Sequence, residues 1–187
     1  MSTIRNQPGH DDPGRFLVVD RALESLPGTD IGLFWCAAPT PPDFILKLEW
    51  LHTRQDDNSG VFIRFPDPES KGFNNTAFVG VQFAFEVQID KTGAPDGAGL
   101  HKTSAIYAEP DQQLSQVPAR PPGEWNQYEI HAKGQTYTVF LNGNQVTKFQ
   151  NPHQGRGLPS ITKAPPYLWL QTHTGRVLFR NICVKVL

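Results

Sequence analysis

The 187-residue sequence is poor in thiols, with only two cysteines, and it has a single methionine. That is too few cysteines for a disulfide-stapled scaffold or a cysteine-only metal cluster. Cys36 and Cys183 stand near opposite ends of the chain. They read either as two free thiols in the core or as one bridge joining those ends. There is no excess charge of one sign: 17 Lys and Arg against 18 Asp and Glu leave a net charge of -1. Such a balance offers no electrostatic footprint for a nucleic acid or an anionic membrane surface. No apolar run approaches the ~20 residues of a membrane-spanning helix. Met1 to Arg15 lacks the apolar centre of a secretory leader and reads as a polar tail. A cytoplasmic chain, or the trimmed form of an exported one, is therefore expected. HExxH, paired CxxC, GxSxG, P-loop and GxGxxG patterns are all missing. Their absence removes the usual zinc-protease, serine-hydrolase and nucleotide-binding signatures.

What the sequence does have is punctuation. Its 17 Pro and 16 Gly fall in clusters between short apolar runs, as turns do. Those runs alternate with period two. In Asp43 to Leu51, Phe44, Leu46, Leu48 and Trp50 alternate against Lys47 and Glu49. In Ser59 to Phe65, Val61, Ile63 and Phe65 oppose Phe62 and Arg64. In Phe83 to Asp90, Phe83, Phe85, Val87 and Ile89 oppose Glu86, Gln88 and Asp90. Gly134-Gln135, Asn142-Gly143 and Thr174-Gly175 separate further runs as hairpin turns. A short helical period is visible only near Val19 to Leu26. Ten or more short strands at this spacing predict one all-β domain over residues 16–187, a two-sheet antiparallel sandwich of the jelly-roll type. Two long polar stretches, Pro66 to Thr76 and Lys91 to Lys102, interrupt the strands, and loops of that length are often functional. Trp125, after Pro121-Pro122-Gly123, is expected to anchor a turn and not to meet a ligand.

The Phe83 to Asp90 run is the most informative. Alternation sets Glu86, Gln88 and Asp90 in one row, with about 6.8 Å between successive members. The row reads either as a rigid sugar-binding face or as an ordinary solvated sheet face. In Tyr167 to His173, the residues Tyr167, Trp169, Gln171 and His173 share one parity. They offer two rings to stack on sugar C–H faces, an amide and an imidazole that titrates near neutrality. Alternatively Trp169 is core and His173 merely ends the strand. Arg64 and Arg180 each carry a guanidinium on the parity opposite to apolar neighbours. Each would hold an oxyanion, or else pair structurally with Glu86 or Asp90. Glu86, Asp90, His101 and His173 could also gather a divalent metal ion, although their spacing matches no ligand motif.

The segments DFILKLEW, NSGVFIRF, FEVQID, SAIY, PPGEWNQYEI, FLNG and LWLQTHTGRVLFRNICVKVL follow one another in this order. Together they resemble the 3-keto-disaccharide hydrolase domain family, from about Arg15 to Leu187. The resemblance implies a concanavalin A-like, LamG-like sandwich acting on glycosides, including 3-keto-glucosides. A 3-keto group acidifies the neighbouring C2 proton. A base removes it, the C1 substituent leaves, and water adds back. That route needs a base and an electrophile for the enolate, a role open to a divalent metal ion. The matched positions are Asn58, Arg64, Glu86, Gln88, Tyr107, Gln171, His173 and Arg180. The expectation is a cleft with Glu86, His173 and Arg64 as catalytic groups. Asn58, Gln88, Asp90, Tyr107, Trp169, Gln171 and His101 would bind the carbohydrate, under the Lys91 to Lys102 loop. Three departures from the family pattern stand at Ser104, Val139-Phe140 and Thr172; the last removes an acidic or Asn neighbour from His173. A non-catalytic carbohydrate-binding module and a sandwich with no sugar ligand are the competing readings.

Overall fold

The structure, a computed structural model, describes residues 12, 14–36, 38–157 and 166–187. Twelve strands follow in chain order among them: β1 (Arg15–Val19), β2 (Ala22–Leu26), β3 (Gly32–Trp35), β4 (Phe44–His52), β5 (Asn58–Phe65), β6 (Phe85–Asp90), β7 (Gln113–Leu114), β8 (Asn126–Lys133), β9 (Thr136–Leu141), β10 (Asn144–Gln150), β11 (Tyr167–Thr172) and β12 (Val177–Val186). One short helix, α1 (Ala77–Phe83), precedes β6. The strands form an eight-stranded sheet, β1-β2-β12-β4-β8-β9-β10-β7, and a four-stranded sheet, β3-β11-β5-β6. The expected tail lies almost wholly outside the described residues, and Arg15 opens β1. No described helix is long and apolar enough to cross a membrane.

Alternation builds the core as the sequence reading expects. Phe44, Leu46, Leu48 and Trp50 of β4 join Tyr128, Ile130 and Ala132 of β8 and Tyr137, Val139 and Leu141 of β9 on one inner face. Val61, Ile63, Phe85, Val87, Ile89, Leu168 and Leu170 supply the other. Burial of this apolar surface is the main stabilising term. At Asn142-Gly143 both residues have positive φ, 50° and 85°, and Asn144 pairs with Leu141. That is the two-residue hairpin turn whose twist matches its strands.

Three local expectations change. The helical period near Val19 to Leu26 is a hairpin of β1 and β2, because Asp20 and Arg21 both take positive φ and turn the chain back. Phe83 ends α1 instead of opening the next strand, and the extended Ala84 separates the two. The third change is a bulge in β5. Tyr167 pairs with Phe65 and Trp169 with Phe62, so three steps on β5 meet two on β11. Arg64 absorbs the extra residue at φ 53°. Phe65 therefore joins Phe62 and Trp169 on the outer face, in a second apolar cluster roofed by Ala77 and Val79. The two cysteines are free and exposed, neither buried nor bridged.

Trp125 is half-buried, with the Arg180 guanidinium 3.8 Å from its ring centroid. Arg180 Nε in turn donates to Glu49 Oε2 at 2.6 Å, and this bond holds the Glu49 carboxyl below its ordinary pKa. Arg180 is therefore a structural residue of the eight-stranded sheet. Trp125→Ala is expected to lower stability by about 1–2 kcal/mol, the scale of a partly desolvated cation–π contact. Urea unfolding checks the magnitude, and sugar binding by the variant should be unchanged.

Candidate functional site

Pairing registers align side chains in rows across the outer face of the four-stranded sheet. One row reads Trp35, Trp169, Phe62, Glu86. Next to it Gln171 pairs with Leu33 and Gly60 with Gln88, and beyond them Asn58 pairs with Asp90. Glu86 stands where strict alternation sets it, but the face is covered and not open: the residue is 8% exposed. Its carboxyl lies across Gly60, where an added Cβ would come 2.0 Å from Glu86 Oε1. Only glycine leaves that room. The Gln171 amide is the side-chain hydrogen-bond partner of Glu86. Glu86 Oε1 and Gln171 Oε1 are both buried without a partner. Unpaired buried acceptors cost stability. Burial pushes the Glu86 pKa up to about 8, against the opposing pull of the Arg156 charge and the Gln171 hydrogen bond.

Segment 99–109 forms the wall beside β6. Gln88 N donates to Ala105 O, Ser104 N to Gln88 O and Tyr107 N to Glu86 O, at 3.0, 2.8 and 2.9 Å. Gln88 is buried beneath it. Tyr107 is half-buried; burial, then the charges of Glu86, Asp96 and Asp90, raise its pKa. Its hydroxyl is therefore a firm donor. His101 packs on the Tyr107 ring at 4.9 Å and its Nδ1 lies 2.7 Å from Asp96 Oδ1.

His173 follows β11 and is exposed on a depression of about 520 Å³ walled by residues 27–31 and 173–175. Its Nδ1 is 3.1 Å from Thr174 Oγ1. Protein packed around the ring holds its pKa below the ordinary value, with Asp90 and Asp30 opposing. Gln171 lies two residues earlier on β11, and Glu86 is not among the residues that wall the depression.

Four expected site residues do other work. Asp90 Oδ1 accepts from Thr92 N, Thr92 Oγ1 and Gly93 N at 2.7, 2.6 and 3.1 Å. Its Oδ2 accepts from Ala94 N and Asn58 Nδ2 at 2.8 and 3.1 Å. Asp90 thus anchors the following loop, and Asn58 is tied to it. Trp169 is 3% exposed, stacked between Phe65 and Trp35 at 3.8 and 5.4 Å under α1. No face is left for a sugar. Arg64 is turned by the bulge away from Glu86 and bonds Pro42 O, Gly134 O and Gly157 O. The cation that acts electrostatically on Glu86 is Arg156, which the sequence reading missed because it lies in a loop without periodicity.

Among the described residues no three His, Cys, Asp or Glu side chains gather to hold a metal ion. Asp90 has both oxygens engaged with backbone and side-chain donors, and His101 pairs with Asp96 alone. The donor set does not fit a divalent ion.

The sequence profile of the 3-keto-alpha-glucoside-1,2-lyase-like domain matches residues 4–185. Among solved structures, a Parabacteroides distasonis ATCC 8503 protein described as a candidate glycosyl hydrolase is 25% identical, with a TM-score of 0.68 over 94% of this chain and 92% of its own. A Bacillus subtilis protein of unknown function with a galectin-like fold is 11% identical, with a TM-score of 0.65 over 91% and 86%. The carbohydrate-binding module CBM66 from Bacillus subtilis is 10% identical, with a TM-score of 0.57 over 92% and 91%. The last two share the sandwich fold. No curated relative matches the chain.

Proposed function

The chain belongs to the 3-keto-alpha-glucoside-1,2-lyase-like family, and from that premise we propose that it cleaves a 3-keto-glucoside by elimination across C1 and C2. The observation that carries the reading is the buried Glu86 carboxyl, raised to about 8 with one oxygen unpartnered. At neutral pH Glu86 is then mostly a neutral acid, while His173, lowered from its ordinary value, is mostly a neutral base. An acid raised and a base lowered in this order support that division of roles.

His173 takes the C2 proton, and the electron pair forms an enolate across C2 and C3 that the Tyr107 hydroxyl stabilises. Collapse of the enolate makes the C1=C2 bond and breaks the C1–O bond. Glu86 gives its proton to the departing oxygen. Solvent exchange returns a proton to Glu86 and removes one from His173, and water adds to C1 to give the free 3-keto-sugar. No step is routed through a metal ion.

The pH dependence of kcat/KM for a 3-keto-glucoside should be bell-shaped. Activity rises as His173 loses its proton, below pH 6.5, and falls as Glu86 loses its own, near pH 8. A profile still rising beyond pH 9 would reverse the roles. EDTA should leave turnover unchanged. The competing reading is a carbohydrate-binding domain, and the walls of the His173 depression, which do not include Glu86, favour it. Sugar binding without turnover at any pH, with or without added divalent ions, would put that reading in its place.

A further inference from the structure

We infer that Arg156 is a positioning residue: it holds a positive charge beside the Glu86 carboxyl and, through Glu109, fixes the 104–109 wall against the start of β6. The inference rests on the role proposed for Glu86.

The guanidinium is held from four sides. Its Nε donates to Ala84 O at 2.8 Å, two residues before Glu86, and its Nη2 to Val81 O at 3.4 Å. Its Nη1 donates to Glu109 Oε1 at 2.8 Å, and its Cζ lies 4.7 Å from the Phe85 ring centroid. Glu109 is 4% exposed. It lies two residues after Tyr107, whose N–H bonds the Glu86 carbonyl. Arg156 therefore bridges the two segments that meet at Glu86. The loop that carries it is secured too: Asn151 Nδ2 donates to Arg156 O at 2.7 Å, and His153 Nε2 lies 2.9 Å from Glu109 Oε2.

A surface ion pair needs none of this. An Arg–Glu pair with no wider role would be satisfied by one exposed contact and contribute little. Here a planar fork reads two backbone carbonyls and a buried carboxylate at once, a geometry lysine cannot reproduce. The groups that act electrostatically on Glu86 and Arg156 are few. Arg156 acts on Glu86, and Glu86 acts on Tyr107 and Tyr128. Glu109, Glu86 and Tyr137 act on Arg156, with His153 behind Glu109. Arg156 is the cation of this set that works against the burial of the Glu86 carboxylate.

The test is a carbon-13 NMR titration of the Glu86 carboxyl in the full chain, without substrate, for the parent, Arg156→Met and Arg156→Lys. Loss of the charge should move the Glu86 titration upward by roughly one unit. The Lys variant keeps a charge there and should titrate close to the parent. The alkaline limb of the activity profile should move with the NMR value. An NMR shift with an unmoved limb would refute the acid role of Glu86 and leave the Arg156 inference standing. Identical Glu86 titrations in the parent and the Met variant would overturn it. Arg156→Gln, also without the charge, carries the same comparison if the Met variant fails to fold.

Discussion

Glu86→Gln should lower kcat on a 3-keto-glucoside by roughly 10²–10⁴, the usual contribution of one positioned acid or base. The same substitution should gain stability relative to the parent as the pH rises. Glu86 titrates at about 8 in the folded chain and near the ordinary carboxyl value of 4.5 when unfolded. Below pH 4.5 both states hold the proton and the group contributes nothing to pH dependence. Between 4.5 and 8 the folded state keeps a proton that the unfolded state releases, so stability falls as pH rises. Above 8 the whole cost of the buried charge is present, on the order of 4–5 kcal/mol. Gln is nearly isosteric and does not titrate, so it lacks that slope. Urea unfolding of the two proteins at pH 5 and pH 9 measures the difference directly. Curves that keep the same separation at both pH values would mean that Glu86 ionises normally, and the acid role would fall with it.

Gly60 ties this effect to the fold. The carboxyl occupies the volume a side chain at position 60 would fill. The row of Glu86, Gln88 and Asp90 was readable in the sequence. Alternation tells which face a side chain is on. It does not tell what covers that face. Trp169 and Glu86 both face outward, yet α1 roofs one and segment 99–109 walls in the other, and both covers come from stretches without strand periodicity. Asp90 looked like a ligand for the same reason: its partners are backbone N–H groups of the next loop, which no residue pattern announces. Arg156 was illegible for a related cause. Its contacts lie 47 residues away at Glu109 and 72 away at Ala84, and nothing in a loop between Gly155 and Gly157 points there. The sandwich itself was legible because its inner face repeats the same two-residue rule on strand after strand.

Arg64→Met should cost about 3–5 kcal/mol of stability, the scale of removing one partner from a buried charged network. Activity per folded molecule should be unchanged. The side chain is 1% exposed. Its Nη1 bonds Gly134 O, Tyr137 Oη and Gly157 O, the last two at 3.1 and 3.3 Å. Its Nη2 bonds Pro42 O at 2.7 Å and Asp43 Oδ1 at 3.3 Å. One guanidinium thus ties the lead-in to β4, the β8–β9 turn and the segment at Gly157 to the end of β5. Asp43 completes the junction by accepting from Gly134 N at 2.8 Å. Methionine fills much of the volume but takes the donor from Pro42 O and Gly134 O. Arg64→Lys should recover part of the loss, because a single ammonium cannot reach acceptors spread on both sides of the fork. The left-handed backbone at Arg64 sends the side chain to this junction. A chain that alternated without the bulge would turn it toward the row of Glu86, as the sequence suggests. The measurements are the urea midpoint and kcat on the folded fraction. A variant as stable as the parent but without turnover would return Arg64 to the substrate.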